Sequence, residues 1–259
     1  MRQGIQKSNH IAARALNNLM SSYLRAIARK RKWTPVAVDK GPVVEGSEDS
    51  LFRALALRTL ELPVKEFLQQ GLEKDLPDDP GVMEALISNQ KDEDKHDLGF
   101  KYIVDAHGTN DRAEREAENI LKAWLESPEH PILKAAILER SVFFVLLPFY
   151  RFNGDIGMRT LASDVSRDEI THVATHGMVV HDLGLKSSPT LNRLRRATIH
   201  WVMDGLGVNN KNKYLDKDFW LKQSDSLYER GKAEGLSDTQ RSRMPAFFEA
   251  SNVNLPAYG

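Results

Sequence analysis

The sequence predicts an all-α fold in which four helices form a bundle and further helices flank it. Apolar residues recur at helical spacing along most of the chain, and no notable run alternates with the two-residue period of a strand. Two Glu-x-x-His pairs also stand at helical spacing, and a lone glutamate interrupts the apolar segment AAILERSVFFVLLPFY. We expect the bundle at 47–206, after a basic helix and connector (1–46) and before a helix and flexible tail (207–259).

Composition limits the chemistry that the chain can carry. Its 259 residues, 41% of them hydrophobic, suffice for a substantial core. There is no cysteine, which excludes disulfides, thiol nucleophiles and thiolate metal sites, so a transition metal would need carboxylate and imidazole ligands. No window approaches the roughly 18 consecutive apolar residues of a membrane-spanning helix. We therefore expect a cytoplasmic protein without a membrane partner.

The N-terminal region is basic. Residues 1–38 contain eight Lys or Arg and no acid, whereas the remainder holds 28 basic against 36 acidic residues, a balance of −8. The periodicity predicts a helix over 5–32, with Arg29 to Lys32 complementing the dipole at its C-terminus. A targeting segment and a contact with an acidic partner stay open as alternatives, and nucleic acid is the least favoured partner.

In the rest of the chain, prolines, glycines and capping residues predict where the helices begin and end. Residues 33–50 contain two prolines and two glycines and predict a connector, after which Ser47 or Ser50 caps the next helix. Pro63 removes a backbone N–H, so we expect a kink or break in that helix beside Glu61. Further helices are predicted at 82–107, from about 110 to 125, and at 132–152, 155–183, 189–205 and about 216–234.

The two Glu-x-x-His pairs are candidates for metal binding. Glu93 and His96 stand three residues apart, as do Glu169 and His172, so on a helix each pair projects from one face. The alternative is that Glu93 and Glu169 are surface residues of charged helices, and the segment DEDKHD has that composition. Glu139 is harder to explain in this way because its neighbours are apolar.

The spacing of the acids indicates two matching halves. Glu61 precedes Glu93 by thirty-two residues and Glu139 precedes Glu169 by thirty, so each half would supply one Glu and then one Glu-x-x-His pair. A bundle core with that ligand set holds two metal ions. Without metal, burying four carboxylates and two imidazoles would be very unfavourable. Iron or manganese suits such ligands.

A longer segment resembles a known family. The run LERSVFFVLLPFYRFNGDIGMRTLASDVSRDEITHV is similar to a region of the small, metal-bearing subunit of class I ribonucleotide reductase. In that family a glutamate followed by two aromatic residues precedes a helix with the signature S-R-D-E-x-x-H. The resemblance covers about residues 51–183, and the signature is matched by Ser166, Arg167, Asp168, Glu169 and His172.

The resemblance implies a ferritin-like bundle that binds two Fe ions or a Mn/Fe pair and uses dioxygen. It implies Asp168 as an acid that links a ligand histidine to a radical-transfer path, and as partners a large catalytic reductase subunit and a second copy of the chain. The implied metal ligands are Glu61, Glu93, His96, Glu139, Glu169 and His172.

Three positions depart from the family pattern. Phe100 stands one helical turn after His96, where most members have the tyrosine that stores the radical; members with phenylalanine there keep the oxidising equivalent on a manganese–iron pair. Trp33 is a loose counterpart of the family's conducting tryptophan. Tyr258 weakly matches the family's tail, which docks on the large subunit.

Two other functions stay open at this stage. A self-contained di-iron oxygenase or oxidase would use the same bundle, with Phe100 lining a pocket for a small apolar substrate. A non-enzymatic helical binding protein would use its basic N-terminus or its aromatic tail. An apolar channel to the metals would favour the oxygenase, and a buried polar chain from His96 or His172 to the surface would favour the reductase.

Overall fold

The computed structural model describes residues 21–232, and the side chains of residues 61, 62 and 232 lie outside that description. Every regular element in this range is helical, and a single isolated bridge joins Gly207 to Asp216. The predicted all-α class is therefore confirmed. The α-helices are α1 (Ser22–Ile27), α2 (Glu48–Ala56), α3 (Glu61–Leu72), α4 (Gly81–His107), α5 (Asp111–Glu126), α6 (Pro131–Leu138), α7 (Phe144–Asn153), α8 (Ile156–Asp182), α9 (Pro189–Met203) and α10 (Lys217–Lys232).

The first described helix is shorter than the sequence predicts. The helix expected to run to Lys32 ends at Ile27, and residues 30–44 form a connector without regular structure. Lys30 therefore does not complement a helix dipole: its ammonium pairs with Asp92 on α4 and donates to Ser88 Oγ at 3.0 Å. Residues 5–20 of the predicted helix, like the C-terminal tail with Tyr258, lie outside the described residues.

The break predicted near Pro63 is present just before Glu61. Helix α2 ends at Ala56, a 3₁₀ turn covers Leu57–Leu60, and α3 begins at Glu61. Pro63 thus stands in the first turn of a new helix, where a missing backbone N–H leaves no hydrogen bond unmade. Ser47 precedes α2 as expected, but its hydroxyl donates to the Val44 carbonyl and does not cap the helix.

Helices α4 and α8 are the two longest of the described helices. Helix α4 is followed by Gly108, whose φ of +81° favours glycine, and Asn110 caps α5 through its side chain. The Leu161 side chain of α8 packs against the backbone of α4 at Gly99, where a Cβ atom would lie 2.4 Å from Leu161 Cδ1. This contact falls one turn after His96 and holds the two helices together beside the predicted ligands.

The apolar segment is helical, as predicted, but it contains a wide turn. Between α6 and α7 the backbone forms a π-helix at Glu139–Phe143. The Ser141 carbonyl of this turn accepts a hydrogen bond of 2.7 Å from Ser224 Oγ on α10, so a side chain from outside the helix supports the π turn. Such turns insert one extra residue into a helix and change the direction of the side chains around them.

Four helical segments enclose a common interior. Helix α3 packs against α4 and α6, and α8 packs against α4, α6 and α7, so the contacts close into a ring. Helices α1, α2, α5, α9 and α10 lie around this ring. One continuous apolar core fills the described part of the molecule, and its largest buried side chains include Phe67, Leu86, Ile103, Trp124, Phe144, Phe149 and Trp220.

Candidate metal centre

Five of the six predicted ligands meet in the interior of this ring. Helix α4 supplies Glu93 and His96, the π turn supplies Glu139, and α8 supplies Glu169 and His172. All five side chains are 0% exposed. The surface alternative for Glu93 and Glu169 is therefore wrong. The fifth acid, Glu61, begins α3, and its side chain lies outside the described part of the structure.

The ligand atoms form two overlapping groups. One group is Glu93, Glu139 and His172, and the other is Glu93, His96 and Glu169; within each, the candidate atoms lie within 4.8 Å of one another. Glu93 belongs to both groups, with Oε1 at 3.1 Å from His172 Nδ1 and Oε2 at 3.3 Å from His96 Nδ1. This arrangement is compatible with neighbouring cation positions that share one carboxylate.

Each imidazole directs one nitrogen into the cluster and the other towards an aspartate. His96 Nε2 lies 3.3 Å from Asp168 Oδ2, and His172 Nε2 lies 3.1 Å from Asp92 Oδ2. Burial raises the pKa of each aspartate, but the histidine beside it, together with Lys30 at Asp92, holds that pKa below its usual value. Ionised aspartates only accept hydrogen bonds, so Nε2 donates in each pair.

This orientation is the one found at metal-bound histidines, which donate their outer N–H to a carboxylate and so direct the other nitrogen at the ion. Here both Nδ1 atoms face carboxylate oxygens, His172 Nδ1 at 3.4 Å from Glu169 Oε1. None of the four oxygens of Glu93 and Glu169 has a hydrogen bond of suitable geometry, although imidazole nitrogens lie near them. Buried carboxylate oxygens without well-aligned donors are costly, and a cation would satisfy them.

The pKa shifts within the cluster also indicate a site that favours a cation. Burial raises the pKa of Glu169 to about 7, with Glu139 and Glu93 adding to the rise. Burial disfavours charge on His172, yet Glu169 and Glu93 raise its pKa well above the usual value. In the absence of metal, the cluster therefore retains protons that compensate its negative charge, and a divalent ion would take over that role.

Two polar chains run outwards from the cluster. Asp168 accepts a 2.8 Å hydrogen bond from Trp33 Nε1, and the Trp33 ring stacks on His96 with a centroid distance of 6.1 Å. Asp92 pairs instead with Lys30. The Lys95 ammonium bridges the two chains, 2.7 Å from Asp92 Oδ1 and 3.0 Å from Asp168 Oδ2.

Phe100, predicted to lie beside the metals, is 5% exposed and stands one turn after His96 on α4. Its ring lies 5.8 Å from that of Tyr150. The cavity that both rings line has a volume of about 10 Å³. That is about the space of a single water molecule.

Sequence reasoning missed two residues of this site. Asp92 precedes Glu93 as Asp168 precedes Glu169, so a repeated D-E-x-x-H pattern was available as a signal. His176 stands one turn after His172, is 0% exposed, and lies with Nδ1 2.5 Å from Glu139 Oε2. The side chain of Arg140, the residue next to Glu139, lies near Gly177 and Gly231.

In the range 21–232, no helix has the length and apolar character needed to cross a membrane. Comparison with known proteins supplies no relative: no family model, no curated protein and no solved structure matches the chain.

Proposed function

We propose that this chain is the small, metal-bearing subunit of a class I ribonucleotide reductase. The observation that carries the proposal is the hydrogen-bonded chain from His96 through Asp168 to Trp33. It links the buried cluster to a tryptophan that is half-buried on the connector. A self-contained oxygenase has no need of such a connection, whereas a subunit that passes an oxidising equivalent to a partner protein requires one.

The ring of four packed segments supports a ferritin-like bundle, and the sharing of Glu93 between two ligand groups supports two ions. Glu93, His96, Glu139, Glu169 and His172 would hold them, and Glu61 is proposed as the sixth ligand from its place at the start of α3. Ligands of oxygen and nitrogen alone suit two Fe ions or a Mn/Fe pair. When bound, the metal pair supplies the oxidising chemistry with dioxygen.

The residues of the chain orient this centre and handle its protons. Asp168 holds the His96 proton at Nε2 and fixes the direction of Nδ1. The same Asp168 Oδ2 accepts the Trp33 Nε1 proton, so loss of an electron from the indole could be coupled to movement of that proton onto the carboxylate. Phe100, one turn after His96, has no phenol that could store a radical, and this favours a Mn/Fe pair in the proposed reaction.

The other functions have weaker support. The oxygenase hypothesis expects an apolar substrate pocket at Phe100, and the cavity there, about 10 Å³, does not hold an organic substrate. A purely structural or binding helical protein does not account for a buried group of carboxylates and imidazoles at metal-binding distances.

Metal analysis and electron paramagnetic resonance test the proposal. We expect two Fe ions or one Mn and one Fe ion per chain, and a new paramagnetic species after dioxygen is added to the reduced protein. Nucleotide reduction should then appear when the large subunit from the same organism is added. Turnover of an organic substrate without a second protein would contradict the proposal.

A further inference from the structure

His176 is a fully buried histidine that the proposed reaction does not use. It lies on α8 one turn after His172, and its two ring nitrogens have different partners. Nδ1 lies 2.5 Å from Glu139 Oε2, and Nε2 lies 3.0 Å from the amide nitrogen of Asn89 on α4. His176 and Asn89 are both 0% exposed, so water does not compete for these contacts.

The surrounding hydrogen bonds fix the direction of each donor. The Thr175 hydroxyl donates to the Thr171 carbonyl at 3.0 Å, so it can only accept the 2.7 Å hydrogen bond from Asn89 Nδ2. The amide nitrogen of Asn89 therefore faces His176, and His176 Nε2 must accept. The proton of the neutral ring then lies on Nδ1, from which it is donated to Glu139 Oε2.

This donor leaves the two oxygens of Glu139 unequal. Oε2 accepts from His176, whereas Oε1 receives no hydrogen bond and lies 3.5 Å from His172 Nδ1, inside the cluster. Glu139 is the first residue of the π turn, and the contact with His176 is made by its Oε2 alone. Only one oxygen is directed at the place that a metal ion would occupy.

We propose that His176 is a positioning residue that restricts Glu139 to binding a metal ion through a single oxygen. The inference rests on the metal-binding part of the proposed function and adds to it the control of one ligand's binding mode. A carboxylate that supplies one oxygen leaves a coordination position that a two-oxygen carboxylate would fill. Asn89 supports the arrangement by holding the His176 proton on Nδ1.

Two substitutions at position 176 separate the donor from the bulk of the ring. The side-chain amide of Asn places an N–H donor near the position of Nδ1, and that of Gln places it near Nε2. His176→Asn therefore retains the bond to Glu139, whereas His176→Gln moves the donor towards Asn89. His181→Gln, on the exposed end of the same helix, is the matched control.

The probe is Mn²⁺ alone, titrated without dioxygen and followed by the paramagnetic resonance of free and bound ion. We expect His176→Asn and His181→Gln to bind within about threefold of wild type. His176→Gln should bind about 10–100-fold more weakly, the usual effect of removing a partner of a metal ligand, with a changed spectrum of the bound ion. Equal affinities for Asn and Gln, whether both retained or both lost, would overturn the inference.

A second measurement does not depend on the folding of any variant. The ¹⁵N resonances of His176 in the wild-type protein, assigned by their loss in His176→Asn, should show the proton on Nδ1. A proton on Nε2 alone would overturn the inference. If the wild-type chain binds no Mn²⁺, the proposed function fails, and the ¹⁵N result still decides the state of His176.

Discussion

Helices α4 and α8 carry the same local sequence into the site and then diverge. Each has an Asp–Glu pair followed by a histidine, and each aspartate contacts the histidine of the other helix. On the outside, however, Asp168 meets the indole of Trp33 and Asp92 meets the ammonium of Lys30. One turn after the histidine, α4 has Phe100 and α8 has His176.

The comparison distinguishes the role of the inner residues from that of the outer residues, a difference that the symmetric ligand set alone does not reveal. The inner residues of the two halves do the same work, since both present a carboxylate and an oriented imidazole. The outer residues differ in chemistry, because an indole can exchange an electron together with a proton and an ammonium can only exchange a proton. Function in our proposal therefore follows the Asp168 side, and the Asp92 side serves orientation and stability.

The largest expected effect tests the equivalence of the inner residues. Glu93→Gln and Glu169→Gln should each abolish the stabilisation that metal confers, because both acids lie in the ligand groups. In wild type, chelation should remove about 2.7 kcal/mol if the metal is at 100 times its Kd, or roughly 5–10 °C in Tm. Thermal melts with and without a chelator measure this, with the exposed Glu84→Gln on α4 as control. A chelator-sensitive Glu93→Gln would show that the halves are not equivalent.

The next effect separates the outer acids. Asp168→Asn keeps the side-chain volume and one oxygen that can accept a hydrogen bond, but it removes the negative charge and the basic oxygen that would take up the Trp33 proton, so nucleotide reduction should fall by about 10²–10⁴-fold. At saturating metal the variant should still load two ions and consume dioxygen. Asp92→Asn should load metal equally and retain most of its reductase activity. Equal losses of activity in the two variants would remove the functional difference between the halves.

A smaller pair of changes tests the outer partners themselves. Trp33→Phe should keep metal content and Tm near wild type while nucleotide reduction is lost, since phenylalanine has no N–H for Asp168. Lys30→Met retains the apolar stem and should cost about 1 kcal/mol, or roughly 2–4 °C in Tm, with activity retained. Full activity of Trp33→Phe would exclude this indole from the proposed path.

The smallest structural change is made at Phe100. A hydroxyl added by Phe100→Tyr has a cavity of about 10 Å³ beside the ring, so we expect little change in Tm. After dioxygen is added to the reduced, metal-loaded protein, paramagnetic resonance should show a tyrosyl signal that wild type lacks. The absence of this signal in a fully metal-loaded variant would contradict the prediction that Phe100 lies beside the metals.

Local patterns were sufficient to predict most of the helices and the inner ligands. Helical spacing placed Glu93, His96, Glu169 and His172, and the apolar neighbours of Glu139 indicated its burial. Pro63 indicated the helix break beside Glu61 because a proline acts through its own backbone geometry. The π turn had no such local signal, since it is supported by Ser224 from a distant helix.

The outer residues of the site depend on contacts that no local pattern contains. Asp92 lies in a segment that has the composition of a solvated surface, and Asp94 beside it is exposed. Asp92 is nevertheless buried, and it pairs with Lys30 from a segment expected to be helical. Trp33 reaches Asp168 across 135 residues of sequence. His176 was missed because Asn89 and Glu139, the partners that reveal its role, come from two other segments.

The connector of residues 30–44 has one further consequence. Its described anchors include Lys30, which pairs with Asp92, and Trp33, three residues further on, which donates to Asp168. A third anchor is the Gly41 N–H, which donates to Asp155. Seating of the connector and the charge state of the centre are therefore thermodynamically linked. If a change in the charge of the centre alters the free energy with which the two acids bind the connector, displacement of the connector must alter the free energy of that charge change by the same amount. A protein that binds this connector would therefore have an affinity that depends on the charge state of the centre, although it makes no contact with the centre.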